Sequence, residues 1–584
     1  MDIFSVLSLI GGLALFLYGM DAMGDGLKKL SGSKLESILG KLTSNRFAAF
    51  FLGLTVTAVI QSSSATTVML VGFVNSGIMK LGQTIGIIFG ANVGTTVTAW
   101  LLSTTSISGD SVLIRLFKPE SFTPILAAIG ILLMMTSKSD KKKDIGTILL
   151  GFSILMYGMD AMSDSMKGLR DSESFTQMLV MFSNPVMGIL SGTLLTAIIQ
   201  SSSASVGILQ ALSLTGVIPF STAMPIILGQ NIGTTITPVL SALNGNKDAK
   251  RVAVACVYIK LLGVIAFAVI FYALNRFIHF SFFEANATPV SIATFHTLFN
   301  IISTVVLMPF CSLIEKLTTI SVRGKVDERN DLLLTLDERF LSLPSFAVEK
   351  CRDVVNEMAL ISKKAFMDST SLLDQFDKNI EKTILESEDI VDLYEDKTSS
   401  YLLKISEETT LSQKDSREVS QLLHVIGDVE RISDHAVNIL EAAREVHDKG
   451  ITFSEEAQRE LKTIKNAVRE VVELAIEALV REDIYMAKKV EPLEQLIDKL
   501  KYMVKNNHIK RLREGGCTIE LGFILSDLLT NFERVADHCS NIAVCLIEID
   551  NNSFETHEYL NSIKKSGSNE FIEQYEIYKE RYSL

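Results

Sequence analysis

The sequence predicts an all-α protein. A polytopic membrane domain of two repeats, with re-entrant hairpins and broken helices, precedes a soluble domain of two homologous helical bundles in tandem. The first observation behind this is charge. Residues 1–320 hold 20 Lys+Arg and 15 Asp+Glu, a net of +5, whereas the remaining 264 hold 35 and 52, a net of −17. The second is a constant internal offset of 139 residues in the sparsely charged part. YGMDAM at 18–23 returns at 157–162, QSSSA at 61–65 returns at 200–204, and GANVGTT at 90–96 returns as GQNIGTT at 229–235. The third is a change of pattern near residue 321, beyond which Leu, Ile and Val recur at helical spacing with few Pro or Gly.

The expected borders are 1–138 and 139–320 for the membrane repeats, 321–344 for a linker, 345–548 for the soluble helical domain and 549–584 for a charged, poorly packed helical tail. At 584 residues, 48% hydrophobic and 21% charged, the chain is too long for one core and too apolar for a disordered or collagen-like polymer. The acidic second part lacks the Lys/Arg excess that nucleic acid requires. Six Cys (256, 311, 351, 517, 539 and 545) show no CxxC spacing and read as reduced thiols.

Apolar runs lie near 3–20, 47–60, 65–79, 84–102, 122–136, 145–161, 186–199, 203–219, 222–243, 252–274 and 289–313. The first lacks a basic region and a clear cleavage site before it, so it reads as a retained membrane helix. Several runs fall short of the ~20 residues that a spanning helix needs, which predicts re-entrant or interrupted helices lining a cavity. Basic clusters at Lys138 and Lys141–Lys143, and at Lys247, Lys250 and Arg251, mark cytoplasmic loops. The stretch 26–46 reads either as an amphipathic interfacial helix or as a polar loop.

The repeated motifs carry the chemistry. Gln61-Ser62-Ser63-Ser64 and Gln200-Ser201-Ser202-Ser203 put four consecutive small polar side chains between apolar segments. In a bilayer they must find partners, and an unwound helix there frees backbone N–H groups for an anion and carbonyls for Na+. Asn92, Thr95 and Thr96, with Asn231, Thr234 and Thr235, add neutral oxygens suited to a hard alkali cation. No charged residue lies in any of the four motifs, so positive charge for an anion is expected from co-bound cations or helix ends. The competing reading is that small residues only allow close helix packing. Asp21 and Asp160 read as headgroup-level carboxylates or as ion-pathway residues. His296 reads as a satisfied packing residue or as a proton relay.

Duplicated QSSS motifs, each followed by G-x-N-x-G-T, resemble the type II Na+/phosphate cotransporters over residues 1–315. The resemblance implies Na+-coupled carriage of inorganic phosphate, with the QSSS residues at the substrate centre and Na+ as co-substrate.

The soluble part has its own repeat, ERISDHAVNI at 430–439 and ERVADHCSNI at 533–542. Four E-x-x-x-D pairs, Glu388/Asp392, Glu430/Asp434, Glu494/Asp498 and Glu533/Asp537, each place two carboxylates on one helix face. Packed together they make either a hard-metal site or solvated charge. His435 and His538 point away from those faces. The repeated E-R-x-x-D-H-x-x-N-I resembles PhoU-like domains over about 345–545, which implies two three-helix bundles, a divalent or transition metal, and phosphate regulation. The expected partners are phosphate, sodium and the lipid bilayer, without nucleic acid, with a homodimer as a candidate assembly. The expected place is the bacterial inner membrane, with the C-terminal domain cytoplasmic. No enzyme chemistry is expected, because no His/Asp constellation accompanies the serines. Two alternatives stand beside transport inward: phosphate export through the same site, and a membrane phosphate sensor that moves no solute.

Overall fold

The structure, a computed structural model, describes residues 3–40, 45–104, 119–167, 181–323, 332–407, 411–550 and 569–584. The chain divides into two compact units, Met1–Phe346 and Ala347–Leu584.

The first unit is helical throughout its described residues apart from one isolated bridge, Pro219 to Asn286. Its first repeat comprises α1 (Ile3–Gly40), α2 (Arg46–Ile60), α3 (Ser63–Asn75), α4 (Leu81–Gly94), α5 (Thr96–Ser103) and α6 (Pro119–Thr136). The second comprises α7 (Asp140–Met166), α8 (Pro185–Ile199), α9 (Ser202–Ser213), α10 (Phe220–Gly233), α11 (Ile236–Ala242) and α12 (Lys247–Ile278), followed by α13 (Pro289–Leu307) and α14 (Cys311–Ser321). Among the described residues, five stretches are long and apolar enough to cross a membrane: Ile3–Leu30, Leu81–Ser103, Asp140–Met166, Lys247–Ile278 and Pro289–Ser321. Many large apolar side chains on them face outward, including Phe4, Ile10, Val269, Phe277 and Val305. So apolar an exterior suits hydrocarbon and not water. The protein is a membrane protein.

The relation between the repeats is written in one helix pair. Residue i of α1 corresponds to i+139 of α7, and the two helices cross through glycines. A Cβ on Gly12 would meet Met162 N at 2.8 Å, and one on Gly151, its mate, would meet Met23 N at 2.5 Å. Gly19 abuts the Leu155 backbone, while Gly158 abuts that of Phe16. These four contacts form two reciprocal pairs, as across a two-fold axis. Contact moves toward the start of α7 as it moves toward the end of α1, since Gly26 meets Ile148 and Asp144. The helices are therefore antiparallel, and the repeats are inverted with respect to each other. Hydropathy could not settle this, because it depends on counting spans among segments too short to span.

The stretch 321–344, expected as a linker, is built partly into this unit. It forms two 3-10 turns, Leu332–Thr335 and Glu338–Ser342, and the second lies on α3. Asn75 donates to Asp337 at 2.8 Å, and the buried Phe340 ring packs against Phe73 and Phe346. The expectation for 26–46 falls mostly outside the described side chains, although α1 stays helical to Gly40. Asp21 lies inside α1 and is exposed.

The second unit takes up α15 (Pro344–Leu372) from Ala347 onward, α16 (Lys378–Ser406) and α17 (Gln413–Lys449), then α18 (Glu455–Arg481), α19 (Val490–Arg513) and α20 (Ile519–Asp550). α17 and α20, the helices carrying the repeated ER-x-x-DH, pack together. Its helices bury Ile, Leu and Val on one face, as Ile464, Val468, Val471 and Ile476 do on α18. The expected loose tail is partly wrong. α21 (Asn569–Arg581) packs on α19, Tyr578 is buried, and Arg581 pairs with Glu470 at 2.6 Å. Tyr578 is an apolar anchor inside a charged segment, which composition averaged away. Residues 551–568 lie outside the described residues.

Candidate functional site

Each QSSS motif forms the tip of a helical hairpin. α2 ends at Gln61, whose left-handed backbone (φ 58°) returns its N–H to Thr57 O. α3 then starts on Ser62, whose hydroxyl accepts from Ala65 N at 3.1 Å. The second repeat copies this. Gln200 (φ 59°) closes α8 on Thr196 O, and the Ser201 hydroxyl caps α9 at Ala204 N. Among the described residues only four non-glycine residues have positive φ, and these two glutamines are half of them. Such strain persists only where the surroundings impose it, and it concentrates at functional sites. Thr57 donates to Thr66 at 3.0 Å, and Thr196 donates to Ser205 at 2.9 Å, locking both hairpins alike.

The two tips meet. Ser64 Oγ donates to the Gln200 carbonyl at 3.4 Å, joining residues 136 apart in the chain. The arms behind them exchange partners, with α3 of the first repeat packing on α11 of the second and α9 of the second packing on α5 of the first. Ser63, Ser202 and Ser203 are buried, whereas Ser62, Ser64 and Ser201 are half-buried.

The G-x-N-x-G-T-T elements are the points where α4 gives way to α5 and α10 to α11. Thr95, Thr96, Thr234 and Thr235 each donate to a carbonyl three or four residues back, at 2.7–3.1 Å. Their oxygen lone pairs stay available to a cation. Asn92 and Asn231 are buried. Asn231 donates to Ile227 O, while the Oδ1 of Asn92 has no hydrogen-bond partner.

The two halves differ at one place. The buried Gln61 side chain is held by Thr98, which donates to its Oε1 at 2.8 Å, and by its own Nε2 donating to Ala58 O. Gln200 is exposed, and Thr237, the mate of Thr98, has a buried hydroxyl without a partner. Sequence reasoning missed Thr98 and Thr237. Their signal was the extension of the repeat to GTTVT and GTTIT. It also missed Lys260, a single ammonium inside the apolar run 252–274, now buried on α12. His296 is buried on α13 with its Nδ1 unpartnered, so it is not the satisfied residue expected.

In the second unit the carboxylates gather as two mirrored triads. Glu388, Asp392 and Asp434 bring ligand oxygens within 4.8 Å of one another, and so do Glu494, Asp498 and Asp537. Glu430 and Glu533 fall outside these sets. Lys501 from α19 takes Glu533, and Arg431 lies 3.4 Å from Glu430. Burial, with the charge of Asp434 added, pushes Glu430 up to about 7. Burial and like-charged neighbours also raise Glu388, Asp392 and Asp537. All-oxygen triads fit a hard divalent cation. The two histidines stack on each other 5.7 Å apart between α17 and α20, His435 on Asn531 and His538 on Asp428, each at 2.8 Å.

Two family models match the chain. The Na+/Pi-cotransporter family model matches residues 15–164 and 154–283, and the PhoU domain model matches 355–443 and 461–546. A Salmonella typhimurium protein named "Putative inorganic phosphate export protein YjbB" is 22% identical, over 95% of this chain and 100% of its own length. The uncharacterized protein YqeW of Bacillus subtilis is 31% identical, over 53% of this chain and 96% of its own. Sodium-dependent phosphate transport protein 2A of Rattus norvegicus is 36% identical over 15% of this chain and 14% of its own. Among solved structures, PhoU from Pseudomonas aeruginosa covers 35% of this chain and 97% of its own, at 20% identity and a TM-score of 0.33.

Proposed function

From a chain that belongs to the Na+/Pi-cotransporter family and carries a PhoU domain, we propose a sodium-coupled inorganic phosphate transporter of the bacterial inner membrane. Phosphate binds between the paired QSSS tips. The second unit lies in the cytoplasm and regulates the carrier, and no catalysis takes part. The observation that carries this reading is the meeting of Ser64 with Gln200 at the junction of two inverted hairpins. Two α-helical N-termini, α3 and α9, begin at that junction, each offering backbone N–H groups and the positive end of its dipole to an oxyanion. Serine and glutamine side chains supply donors, and the neutral oxygens of Asn92, Thr95, Thr96, Asn231, Thr234 and Thr235 supply alkali-cation ligands. Desolvating a divalent anion alone is prohibitive, which is the physical reason for coupling its entry to Na+.

Sodium-gradient-driven uptake of [32P]phosphate into proteoliposomes tests the reading. Uptake that is indifferent to Na+ counts against coupling, and binding without flux would make the protein a sensor. The name of the Salmonella relative favours a second reading, net export by the same site. Vesicles of defined sidedness separate the two, because an exporter lowers phosphate on the cytoplasmic side under physiological gradients.

Thr98→Val should weaken phosphate binding about five- to tenfold, the worth of about 1–1.5 kcal/mol for one lost hydrogen bond orienting Gln61. Thr237→Val, whose hydroxyl has no partner, should leave binding within about twofold. Equilibrium binding of labelled phosphate measures both.

The triads Glu388/Asp392/Asp434 and Glu494/Asp498/Asp537 would each hold one hard divalent cation. The raised carboxylates set the sign of the pH dependence. A carboxyl whose folded pKa lies above its unfolded value, as burial and like charge make those of Glu388, Asp392 and Asp537, stabilises the fold when protonated, and that stability is lost as pH rises through the folded pKa. A bound cation replaces the proton. Mn2+ should therefore raise the Tm of the second unit's transition by several degrees at neutral pH and by progressively less as the pH falls and protons compete for the triads, and Asp392→Asn with Asp498→Asn should abolish the rise.

A further inference from the structure

Lys260 is the one feature of the membrane unit that the neutral-site picture leaves unused. It sits in the middle of α12, 7% exposed. Arg251, the other buried cation on that helix, has Asp248 at 2.5 Å and donates to the Val322 carbonyl. No described carboxylate pairs with Lys260. The titratable groups facing it are the thiol of Cys256 on its own helix and the imidazole of His296 on α13. His296 is 1% exposed, and its Nδ1 has no partner. An ammonium and an idle ring nitrogen buried together in a membrane protein need a ligand for at least part of the working cycle, because a lone buried charge costs several kcal/mol.

The level of Lys260 in the unit says which ligand. α12 packs along α3 and α4. Its start is tied to the end of α3 by two hydrogen bonds, Asn246 N to Asn75 Oδ1 at 2.8 Å and Asn246 Nδ2 to Asn75 O at 2.9 Å. From that tie α12 rises fourteen residues to Lys260, about 21 Å, while α3 leads back twelve residues to Ser63, about 18 Å. Lys260 thus comes within one helical turn of the height of the serine tip.

Resting on the phosphate-carrier reading above, we propose that Lys260 is a built-in countercation of the transport site. Its ammonium pairs with the oxyanion at the serine tips and takes the place of an alkali ion that a wholly neutral site would have to recruit. The carrier then needs about one fewer Na+ per phosphate than the same site with a neutral residue at this position.

The test uses the full chain, purified and reconstituted, with [32P]phosphate binding and uptake measured across a Na+ series balanced by choline. Wild type should bind phosphate measurably without Na+. Lys260→Asn should lose that binding, regain it on adding Na+, and show a Na+ Hill coefficient higher by about one, whereas Lys260→Arg should keep the wild-type curve. An unchanged Na+ dependence in Lys260→Asn overturns the proposal. Should that variant fail to fold, the wild type decides alone, because phosphate binding that vanishes without Na+ overturns it equally. A wild type that binds no phosphate even in Na+ sinks the carrier reading itself, a distinct result.

Discussion

Replacing Gln61 and Gln200 together by alanine is expected to abolish phosphate uptake while leaving the protein folded. Both residues end a helix in a left-handed turn, and alanine tolerates that backbone only slightly less well, so the fold should lose little. The site should lose much. A hydrogen bond to a charged group is worth about 1.5–3 kcal/mol, so two amides withdrawn from an anion amount to about 3–6 kcal/mol, or about 10^2- to 10^4-fold in affinity. The single variants should differ. Gln61 is already oriented by Thr98, so Gln61→Ala removes a prepaid contact and should act mainly on binding. Gln200 is exposed and unclasped, so Gln200→Ala should act more on turnover. Concentration-dependent uptake separates the two effects. Normal uptake in the double variant would defeat the assignment of the tips.

Gly90→Ala and Gly229→Ala are expected to prevent the membrane unit from assembling. α2 packs on α4, and α8 on α10, with almost no space between backbones. A Cβ on Gly90 would overlap the Phe50 carbonyl oxygen, and one on Gly229 that of Ile189. Neither obstacle is a flexible side chain that could swing aside. Overpacking a core commonly costs about 1–3 kcal/mol, and backbone against backbone lies at the upper end or beyond. In hydrocarbon, close packing is the main force joining helices, so little remains to compensate. Gly11→Ala, with nothing within 4 Å of its added methyl, is the matched control. Size-exclusion profiles in detergent should show a single peak for Gly11→Ala and aggregate for the other two.

Much of this architecture was legible in the residues. The duplication was visible because QSSS and G-x-N-x-G-T-T recur at one offset, and the hairpin breaks because the apolar runs around them are too short. The i,i+4 spacing put the paired carboxylates on one face. What stayed hidden depends on contacts between distant segments. That Glu533 is claimed by Lys501 is a fact about two packed helices. Inversion shows only when Gly19 meets Leu155. That Lys260 is buried beside His296 is a fact about α12 packed on α13, and the unequal glutamines are a matter of side-chain rotamer, to which residue identity is blind. The anchoring of α21 depends on Tyr578, one aromatic in a segment whose average composition suggests solvent.

The reciprocal glycine crossing of α1 and α7 has an energetic corollary. A body made of two copies related by a two-fold axis, with one copy clasped at Thr98 and the other open at Thr237, admits a twin conformation in which the copies trade postures. Symmetry makes the twins nearly isoenergetic, so the scaffold itself prefers neither compartment. Sequence differences between the copies then set only the small bias between the twins, while in the proposed carrier the ion gradients and the coupling stoichiometry decide which way cargo travels.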